Sequence, residues 1–210
     1  MSADREERGL DEGDLAPGWL EQFRAWRSEL EAEPPAEPDA MVLASADEQG
    51  RPSLRTVLLK GLDARGFEFF TNLDSRKGRE LAANPHASLL FPWYHLRRQV
   101  IVTGTVVAVE EQRAEDYFAS RAHRSRLGAL ASRQSSVIAG REVLERALAE
   151  LERRYPPPGP VPRPERWSGF RVEPQAVEFW QGRRDRLHDR LRFRRDDGGA
   201  GGWLIERLSP

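Results

Sequence analysis

The sequence predicts a mainly β, α+β fold, with one antiparallel, Greek-key-like sheet system closed on itself and peripheral helices covering its ends. Five short runs of β-forming residues, Met41–Ala46, Ser53–Lys60, Phe67–Thr71, Ala87–Trp93 and Gln99–Val109, follow one another closely. Turn formers separate them at Glu48-Gln49-Gly50, Asp63-Ala64-Arg65-Gly66 and Asn84-Pro85, as expected of strands that return antiparallel. Helical periodicity occurs between and around these runs.

Residues 1–18 are polar, contain Gly9, Gly13 and Pro17, and read as a mobile arm, leaving 19–210 as a single domain. Trp19 to Glu31 places Leu20, Phe23, Trp26 and Leu30 on one apolar stripe, and Glu33-Pro34-Pro35-Ala36-Glu37-Pro38 stops that helix. Ser75–Ala83 reads as a short helix with Asp74 or Ser75 as its N-cap. Glu110–Ser120, Arg124–Ala131 and Arg141–Arg154 are further helical stretches, the last ended by the stiff Tyr155-Pro156-Pro157-Pro158-Gly159-Pro160. Strands resume at Gly169–Val172, Val177–Gln181, Leu187–Arg194 and Trp203–Leu208, with Asp197-Gly198-Gly199-Ala200-Gly201-Gly202 as the last turn.

Composition narrows the chemistry. At 210 residues the chain can bury a sizeable core. Its acidic, apolar-poor start and the lack of a long apolar run predict neither signal peptide nor membrane span, hence a cytoplasmic protein. There is no cysteine, and His86, His95, His123 and His188 lack metal-ligand spacing, so no structural metal is expected. Residues 1–50 carry a net charge of −10 and the remainder +9; a basic body suits anionic ligands, and equally an ordinary Arg-rich surface. Lysine occurs twice against 31 arginines, at Lys60 and Lys77.

Both lysines fall in candidate ligand motifs. On a strand Arg55-Thr56-Val57-Leu58-Leu59-Lys60 would put Arg55, Val57 and Leu59 on one face and Lys60 on the other, which also describes a charged edge strand. In Phe69-Phe70-Thr71-Asn72-Leu73-Asp74-Ser75-Arg76-Lys77-Gly78 a strand gives way to a helix whose first turn carries two cations. Cations are unfavourable there unless an anion is bound, so this start favours a phosphate site. Gln99 brings a donor and an acceptor into an apolar strand, as a flavin pyrimidine edge or a neighbouring backbone would require. Tyr117, Arg121 and Ser125 stand four residues apart and share a face if Glu110–Ala131 is helical throughout, presenting three donors to one anion; taken alone, the pattern equally describes a helix-end tyrosine beside a surface arginine. Gln134-Ser135-Ser136 is a polar loop that says little alone.

The C-terminal part is the most informative. Glu178-Phe179-Trp180-Gln181-Gly182 is followed by Arg186-Leu187-His188-Asp189-Arg190, where Arg186, His188 and Arg190 alternate with the period of one strand face. Seven arginines between Arg183 and Arg195 could suggest a nucleic-acid patch, but Asp185, Asp189, Asp196 and Asp197 dilute it and no nucleic-acid motif accompanies it. No nucleic-acid partner is expected.

In this order the segments resemble the pyridoxamine (pyridoxine) 5′-phosphate oxidase family, flavin enzymes that make pyridoxal phosphate, from about Met41 to Arg207-Leu208-Ser209-Pro210. The resemblance implies an FMN-binding split barrel and a homodimer with one FMN in each of two clefts between subunits. It implies FMN contacts from Arg55, Thr56, Val57, Leu58, Leu59, Lys60, Phe70, Thr71, Arg76, Lys77, Gln99, Gln134, Ser135, Trp180 and Arg190. The substrate phosphate would be held by Lys60, Tyr117, Arg121 and Ser125, with Arg186 and His188 as the catalytic pair beside the pyridine ring. The implied reaction is FMN-dependent oxidation of pyridoxine or pyridoxamine 5′-phosphate, with O2 as acceptor and H2O2 as product.

The chain departs from that family's pattern in four places. A tyrosine is missing beside Arg5-Glu6-Glu7-Arg8, Phe70 replaces a tyrosine, Leu130 a tryptophan, and Arg184 an acidic residue. Two other readings share the motifs: a phenazine-pathway FMN oxidase, against which Lys60, Tyr117 and Arg121 speak, and a non-catalytic protein that binds pyridoxal phosphate or flavin.

Overall fold

The computed structural model describes residues 9–32, 37–196, 198 and 202–210. The expectations for Arg5–Arg8, for the 33–36 part of the proline-rich helix stop and for most of the 197–202 turn therefore lie outside the described residues. Helix α1, Trp19–Glu31, has the predicted bounds, and its stripe of Trp19, Leu20, Phe23, Trp26 and Leu30 is buried. Phe23 is fully enclosed, with its ring edge-on to Phe67 at 5.2 Å and to Phe91 at 4.8 Å. Such burial contributes about 1.5–3 kcal/mol per large side chain.

The first five strands are β1 (Ala40–Ala46), β2 (Pro52–Leu58), β3 (Gly61–Asp63), β4 (Gly66–Asn72) and β5 (His86–Trp93). Helix α2 (Arg76–Ala83) separates β4 from β5. Strand β6 (Arg98–Ala108) precedes three helices, α3 (Glu111–Ser120), α4 (His123–Ala131) and α5 (Arg141–Arg154). The chain ends with β7 (Trp167–Gln181), β8 (Asp189–Arg195) and β9 (Trp203–Arg207). All described pairings are antiparallel, in the order β2-β1-β5-β6-β7-β4-β3, with β8 on β7 and β9 on β8. The sheet curls because β7 serves three partners: β6 from Phe170 to Gln181, β4 at its start and β8 at its end.

Two predicted elements are corrected. The strands expected at Gly169–Val172 and Val177–Gln181 form one 15-residue strand. The intervening Pro174 is tolerated because the β6 register shifts between Thr103 and Gly104, a bulge that spares the missing N–H. A Cβ on Gly104 would stand 2.1 Å from the Glu173 carbonyl oxygen, so only glycine allows this approach. Second, Arg186 and His188 precede β8: Asp185 and Arg186 have φ of 58° and 61° in a tight turn, which ends strand alternation there. The helical stretches expected at Glu110–Ser120 and Arg124–Ala131 form as two helices, and because Arg121 between them is extended (φ −70°, ψ 148°), Glu110–Ala131 is not helical throughout.

The core has two parts. One lies between α1 and the curled sheet and includes Met41, Leu43, Phe67, Phe91, Val100, Phe179 and Phe193. The smaller joins Phe118, Leu127, Val161 and Trp167 under α3–α5, with Phe70, Tyr117 and Leu130 packed against it. Residues 9–15 lie against the C-terminal strands: Leu10 is buried, its N–H donates to Asp189, and Arg207 pairs with Asp11 and Glu12. Among the described residues no helix is long and apolar enough to cross a membrane.

Candidate functional site

A cavity of about 460 Å³ opens where the small core meets the edge of the sheet. Strand β2 and its exit supply Thr56, Val57, Leu58 and Lys60; β4 supplies Phe70, Thr71 and Asn72; and Lys77 comes from the first turn of α2. From the helical side come Tyr117, Arg121, Ser125, Gly128 and Ala129, followed by Ser132 and Gln134 in the next loop and Trp167 at the start of β7. The break at Arg121 turns α4 back over the cavity, so Tyr117, Arg121 and Ser125 converge without sharing one helix face.

Lys77 is almost fully buried at a helix start whose N-cap, Ser75, accepts from Gly78 N–H at 3.2 Å. Its Nζ donates to Thr71 Oγ1 and Gln134 Oε1, both at 3.1 Å, and to Ser75 Oγ at 3.5 Å. These oxygens are neutral. Burial, reinforced by Arg55 and only partly opposed by Glu80, lowers the Lys77 pKa below its ordinary value. An anion in the cavity would relieve that cost.

Arg55 and Arg76 turn to another partner. Glu80, also on α2, accepts from Ser45 and Ser53 hydroxyls at 2.6 Å, from Arg76 at 2.8 Å and from Arg55 at 3.0 Å. Burial pushes its carboxyl up, but these four donors outweigh it and hold the pKa at about 2. Ser135 accepts from the Arg76 backbone N–H at 3.1 Å, bringing the 134–135 loop onto the start of α2.

The opposite wall is aromatic. Phe70 stacks on Tyr117 with centroids 4.2 Å apart and on Trp167 at 5.5 Å. The Arg121 guanidinium lies 5.0 Å from the Trp167 ring centroid, and its Nη1 is buried without a partner. Burial lowers the Arg121 pKa and raises that of Tyr117, each partly offset by the other group. Lys60 Nζ stands 3.8 Å from Asp39, too long for a tight pair. A pocket holding Lys60, Lys77, Arg121 and several hydroxyls fits a phosphate-bearing ligand, and the stacked rings fit the planar part of one.

The remaining predicted residues form a second group that does not line this cavity. Gln99 lies opposite Trp180 in the β6–β7 register, and Trp180 lies opposite Arg190 in β7–β8. The His188 ring is 4.6 Å from that of Trp180, and its Nδ1 accepts from the Arg183 backbone N–H at 3.1 Å. Arg190 makes a bidentate pair with Glu178 at 2.7 and 3.0 Å, which raises its pKa. Arg186 is exposed, and Leu59 is buried in the main core. Asn72, Gly128, Ala129, Ser132 and Trp167 line the cavity without having been singled out in the sequence. Trp167 could have been found only as an aromatic following the proline-rich linker.

Comparison with known proteins agrees with this arrangement. Residues 27–155 match the family model described as pyridoxamine 5′-phosphate oxidase, and residues 167–210 match the pyridoxine 5′-phosphate oxidase C-terminal dimerisation region. A pyridoxine/pyridoxamine 5′-phosphate oxidase from Salinispora arenicola is 54% identical over 202 residues, covering 96% of this chain and 90% of the relative. Its counterpart from Gluconobacter oxydans is 53% identical, covering 90% of this chain and 92% of the relative. Among solved structures, PhzG from Burkholderia lata, in complex with tetrahydrophenazine-1-carboxylic acid, superposes with a TM-score of 0.88 at 33% identity, covering 97% of this chain and 98% of that one. A pyridoxamine 5′-phosphate oxidase-related, FMN-binding protein from Nostoc punctiforme, 19% identical with a TM-score of 0.72 over 94% of this chain and all of that one, shares the fold. The curled sheet is thus the split barrel of that group.

Proposed function

The chain belongs to the pyridoxamine 5′-phosphate oxidase family, and from that premise we propose that it oxidises pyridoxine 5′-phosphate, pyridoxamine 5′-phosphate or both to pyridoxal 5′-phosphate in the cytoplasm. The cofactor of this reading is FMN, which supplies two-electron oxidation with O2 as final acceptor and H2O2 as product. The observation that carries the reading is the cavity lining, where Lys60, Lys77, Tyr117, Arg121, Ser125 and Gln134 meet and where Lys77 and Arg121 Nη1 are buried without a carboxylate on them.

In this reading two phosphates are held at different places. Lys77, Thr71, Gln134 and Ser135, with Arg55 and Arg76 behind them, hold that of FMN; Thr56, Val57, Leu58 and Phe70 add backbone and apolar contacts. Lys60, Tyr117, Arg121 and Ser125 hold that of the substrate. Fixing the phosphate places the 4′ carbon without further cost at the moment of reaction, and such preorganisation can supply about 7–11 kcal/mol of a barrier.

Gln99, Trp180, Arg186, His188 and Arg190 complete the cleft by meeting the cavity of a second subunit in a homodimer, which the match to a dimerisation region supports. His188 has Nδ1 committed to Arg183 N–H, so Nε2 is the atom that hydrogen-bonds the substrate alcohol or amine. Arg186, exposed on its turn, orients the pyridine ring and steadies charge as hydride leaves.

The test is kinetic. Lys60→Met and Arg121→Leu should each raise KM for pyridoxine 5′-phosphate about 10- to 100-fold, the loss expected for a hydrogen bond to a charged group, with FMN still bound. A normal KM in both variants would remove the phosphate-clamp assignment. The likeness to PhzG favours one second reading, an FMN oxidase for a phenazine-type substrate. Tetrahydrophenazine-1-carboxylic acid carries no phosphate, so faster oxidation of that compound than of pyridoxine 5′-phosphate would select the second reading.

A further inference from the structure

Lys60 sits between β2 and β3, in neither strand, yet its peptide is held on both sides. Its N–H donates to the Glu68 carbonyl oxygen at 2.8 Å, and its own carbonyl accepts from Arg113 Nη2 at 3.0 Å. Arg113 Nε donates to the Glu68 carboxylate at 2.9 Å, so one arginine ties the Lys60 peptide to the side chain of the residue that holds its other end. Glu68 is buried and is further fixed by Arg171 at 2.5 Å. The Arg113 guanidinium also stands 5.5 Å from the centroid of Phe70, the ring that stacks on Tyr117.

The neighbouring Gly61 is what lets this arrangement close. A Cβ there would be 2.2 Å from Glu68 Oε2 and 3.1 Å from Arg113 Nη2. The guanidinium fork suits the task because it presents two donors in fixed, divergent directions, one to a carboxylate and one to a carbonyl; an ammonium is a single point. Arg113 lies on α3, the helix that also carries Tyr117, so the tie couples the loop bearing Lys60 to the helix bearing the phenol.

We propose that Arg113, braced by Glu68, is a positioning residue for substrate-phosphate binding, acting through the Lys60 peptide. The inference rests on the reading of Lys60 as a ligand of that phosphate. Removing the fork lets the Lys60 loop relax while leaving the ammonium in the molecule, so binding weakens and the chemical step does not.

The experiment compares wild type, Arg113→Met, Arg113→Lys, Lys60→Met and the Lys60→Met/Arg113→Met double variant as FMN-loaded enzyme with pyridoxine 5′-phosphate. Arg113 is partly exposed, and flavin occupancy reports that each variant is folded. Arg113→Met should raise KM about three- to tenfold with kcat unchanged, and Arg113→Lys should not restore it. In the Lys60→Met background the Arg113 change should add less than about twofold, because its effect passes through Lys60. A normal KM in Arg113→Met, full recovery in Arg113→Lys, or the same factor in both backgrounds would overturn the proposal alone. A normal KM in Lys60→Met would instead remove the phosphate reading of Lys60, and the proposal with it.

Discussion

Replacing Glu80 by glutamine removes a buried charge that organises the sheet edge behind the cavity. The carboxylate takes hydrogen bonds from Ser45, Ser53, Arg76 and Arg55, and although burial opposes ionisation, these donors lower its pKa from 4.5 to about 2. Because the folded value lies below the unfolded one, the charged form stabilises the fold. That contribution is fully present above about pH 4.5 and is lost as pH falls toward about 2. The interval corresponds to about 3 kcal/mol, and since Arg76 is largely exposed its part is screened, so Glu80→Gln should cost roughly 2–3 kcal/mol at neutral pH. Urea unfolding of both proteins at about pH 7 and about pH 2.5 measures it. The gap should be wide at neutral pH and mostly closed in acid. An equal gap at both values, or none at neutral pH, would refute the assignment of the stabilisation to the ionised Glu80 cluster.

Three further outcomes follow from the same geometry. Lys77→Met should weaken FMN binding by about 1.5–3 kcal/mol, while the ligand-free protein melts no lower than wild type, because the buried ammonium costs stability below its lowered pKa; FMN titration and thermal unfolding report the two. Phe23→Ala should lower the unfolding free energy by about 3–5 kcal/mol through loss of a ring enclosed by Phe67, Phe91 and Trp93, read from denaturant midpoints. Arg186→Ala and His188→Ala should each lose turnover by about 100-fold or more with flavin retained; apoprotein from either variant would mean a cofactor role instead.

Local chemistry made much of the fold legible. Trp19–Glu31 has the predicted bounds because five apolar residues define its buried stripe, and β1, β4, β5 and β6 fall within a residue or so of expectation because alternation and turn formers agree there. Failures came where long-range partners override local signals. Pro174 looks like a strand break, but β6 supplies partners on both sides of it. The alternation of Arg186, His188 and Arg190 looks like a strand, but positive φ at Asp185 and Arg186 makes it a turn entering one. Tyr117, Arg121 and Ser125 line one cavity although the condition of a continuous helix is not met, since the chain is extended at Arg121 between two helices. The roles of Glu80, Glu68 and Arg113 were not legible, because each is defined by partners distant in sequence.

The most direct test of the oxidase reading is the visible spectrum of the purified protein as pyridoxine 5′-phosphate is added without oxygen, followed by admission of air. The account predicts flavin bands near about 450 nm that bleach with substrate and return with air as pyridoxal 5′-phosphate accumulates. A protein whose flavin bands ignore the phosphorylated substrate, or one that FMN cannot reconstitute, would contradict it.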